Sequence, residues 1–152
     1  MASKNFENFI ILVDTNDGSV ETTCGNFRSD TICDEYTNDM YIKSPNYPEV
    51  YENDERCDWT FRMKKGISIN LTFFEFDVQG SANSDCYRHD SLTIFTSENG
   101  METLVGKFCN GKNRPERTML LKGDEIGLVF TTDRNSAYKG FKIGYTWVKP
   151  GR

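Results

Sequence analysis

Ser44-Pro45-Asn46-Tyr47-Pro48, then Tyr51, then Cys57-Asp58-Trp59 decide how this chain folds. Each proline of the corner lacks an N–H and fixes φ, which bars the corner from a helix interior or a central strand. Behind it, Cys57, Trp59, Phe61 and Met63 alternate with Asp58, Thr60, Arg62 and Lys64. That is the two-residue period of a half-buried strand. A rigid surface turn therefore leads into a core strand that carries a cysteine and a tryptophan.

The same β signal continues in both directions. Residues 40–43 read as a short strand ahead of the corner, and 67–78 as a long one rich in β-branched and aromatic residues. Strands over 91–95, 103–108, 118–121, 125–131 and 140–148 follow, separated by polar turns. No stretch holds a helical period. Short strands at regular spacing predict an all-β fold, an antiparallel two-sheet sandwich. Residues 1–32 offer only an apolar patch at 9–13 and a turn signal at Asn16-Asp17-Gly18. They are expected to form a poorly structured N-terminal arm that adds at most one strand. Residues 33–148 make the domain, and 149–152 a C-terminal tail.

A net charge of −5 over 152 residues is the wrong sign for gripping a phosphate backbone, so nucleic acid is not an expected partner. No apolar run approaches the ~18 residues of a membrane span, so no membrane insertion is expected. The 9–13 patch is short, flanked by Glu7 and Asp14, and lacks a basic leader region. The expectation is a secreted protein or ectodomain whose leader has been removed, with Pro150-Gly151-Arg152 ending a piece of a larger chain. The cysteines at 24, 33, 57, 86 and 109 include no Cys-x-x-Cys pair, and His89 is the single histidine. This argues against structural zinc and fits two bridges in an oxidising compartment with one cysteine over. Spacing alone leaves the connectivity open. For Cys24 two readings stand, an unpaired thiol or a bond to a segment outside this sequence. Asn70-Leu71-Thr72 is a glycosylation sequon, and inward-facing Ile67, Ile69, Leu71 and Phe73 turn Asn70 to water.

Nothing points to catalysis. His89 adjoins Asp90, but neighbours in sequence do not make a converging triad, and there is no nucleophile elbow. The pairs Asp54/Glu55 and Asp124/Glu125 fall at turns, where acidic residues are common.

Taken in order, Cys33, Ser44-Pro45-Asn46-Tyr47-Pro48, Tyr51, Cys57-Asp58-Trp59, Phe76-Asp77, Cys86, Asp90-Ser91-Leu92-Thr93-Ile94, Gly106-Lys107-Phe108-Cys109, Phe130-Thr131-Thr132-Asp133 and Gly140-Phe141 resemble a CUB domain. This is the extracellular module of complement and tolloid-type proteases, receptors and adhesion proteins. The resemblance implies a jellyroll-like sandwich with disulfides Cys33–Cys57 and Cys86–Cys109. Each bridge would close a loop of roughly two dozen residues, worth about 3 kcal/mol by loop-closure entropy.

The resemblance also implies a Ca²⁺ site at one end, carried by Tyr51, Asp90 and Asp133 with Asn135 and Ser136 just after. The glutamate that the family places after its Phe-Asp-aliphatic run is Gln79 here. Losing one of three carboxylates weakens such a site. Calcium is therefore not a required cofactor, and a weakened Ca²⁺ site on Asp90 and Asp133 is the expectation. Tyr87-Arg88-His89 makes the Cys86–Asp90 spacing one residue longer than usual, a second departure. The expected binding rim is Tyr51, Gln79, Asp90, Asp133, Asn135 and Ser136, with Tyr87 and Tyr138 at its edge as aromatic anchors. The implied role is a non-catalytic module that binds another extracellular or cell-surface protein. The alternatives are the substrate-positioning arm of a secreted protease and, more weakly, a carbohydrate-binding module.

Overall fold

The computed structural model describes residues 9–26, 40–80, 86–87, 90–133 and 137–150. Ten strands follow in chain order: β1 Phe9–Asp14, β2 Gly18–Asn26, β3 Tyr41–Lys43, β4 Glu55–Met63, β5 Ser68–Asp77, β6 Ser91–Glu98, β7 Met101–Phe108, β8 Thr118–Leu121, β9 Glu125–Thr131 and β10 Gly140–Val148. They form a six-stranded sheet in the order β1-β2-β4-β9-β6-β7 and a four-stranded sheet in the order β3-β10-β5-β8. The expected all-β, two-sheet antiparallel architecture is borne out.

Alternation explains why β4 is a core strand. Cys57, Trp59 and Phe61 are fully buried while Arg56 and Arg62 are exposed. Leu128 and Phe130 of β9 join them from the same sheet; Ile69, Leu71, Phe141 and Ile143 meet them from the other. The rings interlock edge to face: Phe130–Phe141 at 5.0 Å, Trp59–Phe141 at 5.6 Å and Phe61–Tyr145 at 5.1 Å between centroids. Truncating such a ring to alanine typically costs about 3–5 kcal/mol.

In β5, Ile69, Leu71 and Phe73 face inward at odd positions, and then Phe76 and Val78 are buried at even ones. A register shift against β10 accounts for it, since Lys142 pairs with Glu75 but Ile143 pairs with Phe73. The extra residue, Phe74, is left 46% exposed. Its ring lies 6.0 Å from that of Tyr41 and 5.9 Å from the Arg117 guanidinium.

The amino-terminal segment departs from expectation. Residues 9–26 form a hairpin around the Asn16-Asp17-Gly18 turn, closed by Thr15 N–H to the Gly18 carbonyl at 2.8 Å. Two strands result where one was expected, and β2 pairs with β4 along its whole length, from Gly18↔Met63 to Asn26↔Glu55. Val20 and Thr22 are fully buried, an alternation too short to register as a period in the sequence. The register also sets Cys24 opposite Cys57. Cys86–Cys109 is formed, whereas Cys33, and with it the expected Cys33–Cys57 pair, lies outside the described residues.

Candidate functional site

One end of the sandwich gathers the start of β4, the end of β5, the start of β6, the end of β9 and the start of β10. The Pro-Asn-Tyr-Pro corner runs into it. Tyr47 N–H donates to the Ser44 carbonyl at 3.1 Å, and Glu49 N–H to the Asn46 carbonyl at 2.7 Å, with Asn46 at φ 66°. Fully buried Ser44 pins the corner to β10, its Oγ accepting Phe141 N–H at 2.9 Å. Gly140 has φ +87°, and a Cβ there would lie 1.8 Å from Ser44 Oγ. Both its backbone and its neighbour require glycine.

The corner thereby delivers Tyr51 under the loops. Its N–H donates to the Tyr138 carbonyl at 3.0 Å, and its ring meets Phe130 edge to face at 5.1 Å. Its hydroxyl donates to Asp90 Oδ2 at 2.5 Å and accepts Gln79 N–H at 3.2 Å. The other carboxylate oxygen, Asp90 Oδ1, accepts Asp133 N–H at 2.6 Å, and Asp90 N–H donates to Gln79 Oε1 at 3.3 Å. Four segments remote in sequence are thus tied through one carboxylate and one phenol.

Burial dominates the electrostatics. It pushes the Asp90 carboxyl up to about 6, against the lowering effect of the Tyr51 hydroxyl and the Asp133 N–H. The nearby Asp133 carboxylate adds to the rise. The Tyr51 phenol is held far above its ordinary range, first by burial and then by its bond to Asp90.

The expected rim is therefore split. Tyr51 and Asp90 were expected on the surface, yet they are 1% and 0% exposed. Their correction has a plain cause: a phenol and a carboxylate that satisfy each other can be buried together, and the Pro-rich corner aims Tyr51 inward. Gln79, Asp133 and Tyr138 are partly exposed above them. Tyr87 is 67% exposed, with Lys107 Nζ 4.7 Å from its ring centroid. Asn135 and Ser136 lie outside the described residues, as does His89.

Two supports lie outside the residues expected to form the rim. Thr132 clasps the start of β4: its Oγ1 accepts Glu55 N–H at 2.7 Å and donates to the Glu52 carbonyl at 2.9 Å. Asp54 N–H donates to the Asp133 carbonyl at 2.9 Å beside it. Asn110 accepts Val78 N–H at 3.2 Å through Oδ1 and donates to Asp77 at 2.7 Å through Nδ2. Arg114 binds the same Asn110 Oδ1 and the Phe76 carbonyl, each at 2.8 Å. Position 77 was legible from the Phe-Asp motif; its partners come from another loop.

The described residues do not by themselves fit a Ca²⁺ cage. Calcium takes six to eight oxygens, whereas both Asp90 oxygens and Gln79 Oε1 already accept hydrogen bonds from the protein. Among the described residues no three His, Cys, Asp or Glu side chains gather as metal ligands.

Comparisons agree with the fold. The family profile described as CUB domain matches residues 33–145. The zinc metalloproteinase nas-39 of Caenorhabditis elegans is 32% identical over 111 residues, 73% of this chain and 11% of that protein. The full extracellular region of zebrafish Gpr126/Adgrg6 aligns with a TM-score of 0.59 at 26% identity, covering 72% of this chain and 13% of that one. The MASP-1 CUB2 domain bound to Ca²⁺ aligns at 0.58 with 23% identity, over 70% of this chain and 89% of that one. The chain thus spans only a small part of the length of nas-39 and of the Gpr126/Adgrg6 region.

Proposed function

Because the chain belongs to the CUB-domain family, whose relatives are secreted proteins or membrane ectodomains, we propose that it is a non-catalytic module that grips another extracellular protein. The contact surface is the acidic, phenolic rim of Gln79, Asp133 and Tyr138 with Tyr87 at its edge, and the sequence assigns Asn135 and Ser136 to the same surface. One observation carries the reading. Asp90 accepts from both Tyr51 and Asp133, so a buried brace fixes the loops that display the rim. Loops held in advance lose less conformational entropy on binding. An acidic rim of this kind receives a lysine or arginine from its partner.

The brace does part of what an ion would do. Asp90 is a buried, fixed carboxylate satisfied by two protein donors, so the loops are held in place without an ion. Asn70 is the glycosylation position, partly exposed between fully buried Ile69 and Leu71.

A second reading, a substrate-positioning arm of a secreted protease, is favoured by the similarity to a zinc metalloproteinase. The experiment is a binding screen of the domain against displayed extracellular proteins, repeated with Asp133→Lys and Tyr138→Ala. Loss of a hit in both variants with unchanged melting curves supports the rim. A hit that survives both refutes it.

A further inference from the structure

The opposite end of the sandwich carries charge of the other sign. There β4 and β10 finish at Met63 and Val148, and β5 and β9 begin at Ser68 and Glu125. The turns between them enclose a cleft of about 830 Å³. Lys64, Lys65, Lys122 and Lys149 line it together with Leu120 and Val148. All four lysines are exposed, and the two apolar side chains are 54% and 37% exposed.

The positive charge there is only partly matched. Among the described residues none of the four ammonium groups takes part in an ion pair or a side-chain hydrogen bond. Other cations of the chain do find partners: Arg62 bridges Glu21 at 2.6 Å and Glu125 at 3.4 Å, and Lys142 sits 4.5 Å from the Tyr41 ring centroid. Two carboxylates border the cleft, Glu98 and Asp124. Asp124 is tied into the wall, its Oδ2 accepting Asn99 N–H and its carbonyl accepting Met63 N–H. Four cations against two anions is a local excess in a chain whose net charge is −5.

We infer that this cleft is a second binding site, which takes an extended acidic segment of a protein partner with an apolar side chain among its carboxylates. Charge complementarity assigns the acidic part. Lysine ammonium groups are separate point charges rather than planar forks, so they suit several carboxylates spread along a chain. The apolar lining assigns the rest: Leu120 and Val148 are buried by an aliphatic side chain, whereas a sulfated sugar would leave them in water. A volume of this size lies within the ordinary range of ligand clefts.

The test is fluorescence anisotropy with a dye-labelled peptide Asp-Glu-Leu-Asp-Glu, the same peptide with Ser for Leu, and a sulfated heparin oligosaccharide as probes. The expected result is binding of the Leu peptide that weakens as salt is raised. Lys64→Glu/Lys122→Glu/Lys149→Glu should weaken it by about tenfold or more. Lys65→Ala and Leu120→Ser, each a milder change, should give smaller graded losses and separate recognition from misfolding, with melting curves as the check. The Ser peptide should bind less well than the Leu peptide. The proposal is overturned by absence of peptide binding at low salt, by equal binding to wild type and a folded triple variant, or by binding of the sulfated oligosaccharide in preference to the peptide.

Discussion

Asp90→Asn is the perturbation that most directly probes the buried brace. Its carboxyl is raised from 3.8 to about 6 in the folded state, burial being the largest cause. The folded protein therefore holds that proton more tightly than the unfolded chain does. In the window between the two values the native state binds more protons, so this group's contribution to stability falls as pH rises. At about 1.4 kcal/mol for each tenfold change in acidity constant, the ceiling is about 3 kcal/mol. Relaxation of the surrounding groups when the carboxyl ionises reduces this to roughly 1–3 kcal/mol.

Asparagine removes the charge but offers only one acceptor to two donors, the Tyr51 hydroxyl and the Asp133 N–H. One donor is left unpaired, which costs about 1–3 kcal/mol. The variant should therefore be clearly less stable than wild type near about pH 4 and should close most of that gap by about pH 7. Urea unfolding followed by tryptophan fluorescence gives the difference, since Trp59 is fully buried. Subtracting the two stability profiles cancels every other titrating group. A wild-type-minus-variant difference that is flat with pH, or that widens as pH rises, would refute the reasoning.

Four further outcomes follow from the same structure. Tyr51→Phe removes a donor to a charged acceptor, so it should cost about 1.5–3 kcal/mol at neutral pH and less in acid. Millimolar calcium should leave the wild-type melting temperature nearly unchanged, while Gln79→Glu should create a calcium-dependent rise by mass action; no rise in that variant would mean the family's ion position does not transfer. Gly140→Ala should destabilise by about 3 kcal/mol or more, from the positive φ and the collision with Ser44, and a melting temperature within a degree or two of wild type would contradict it. Peptide mapping without reduction should recover Cys86–Cys109 and Cys33–Cys57, whereas a Cys24–Cys57 peptide would overturn the pairing that the family resemblance implies.

Much of the sandwich was legible because strand periodicity is a local property. Alternation through 57–63, the Pro-Asn-Tyr-Pro corner and the polar turns each announce themselves within a few residues. The bulge in β5 was not legible, because 73–76 reads Phe-Phe-Glu-Phe and only the partner strand decides which phenylalanine is expelled. The β2 strand was missed for a similar reason. Its Ser, Glu and Thr content favours no element strongly, and the nine-residue edge of β4 supplies the pairing that orders it.

The site divides along the same line. Local pattern and motif order carry the fold class, the family, and which residue types could meet at the acidic end. Only the packing of the two sheets places Tyr51 and Asp90 against one another beneath the surface, and brings lysines from two turns and from the segment after β10 around one cleft at the far end. Hydrogen bonding between residues 39 apart and repulsion-tolerant clustering of exposed charges depend on distance in space, and a linear pattern carries none of it.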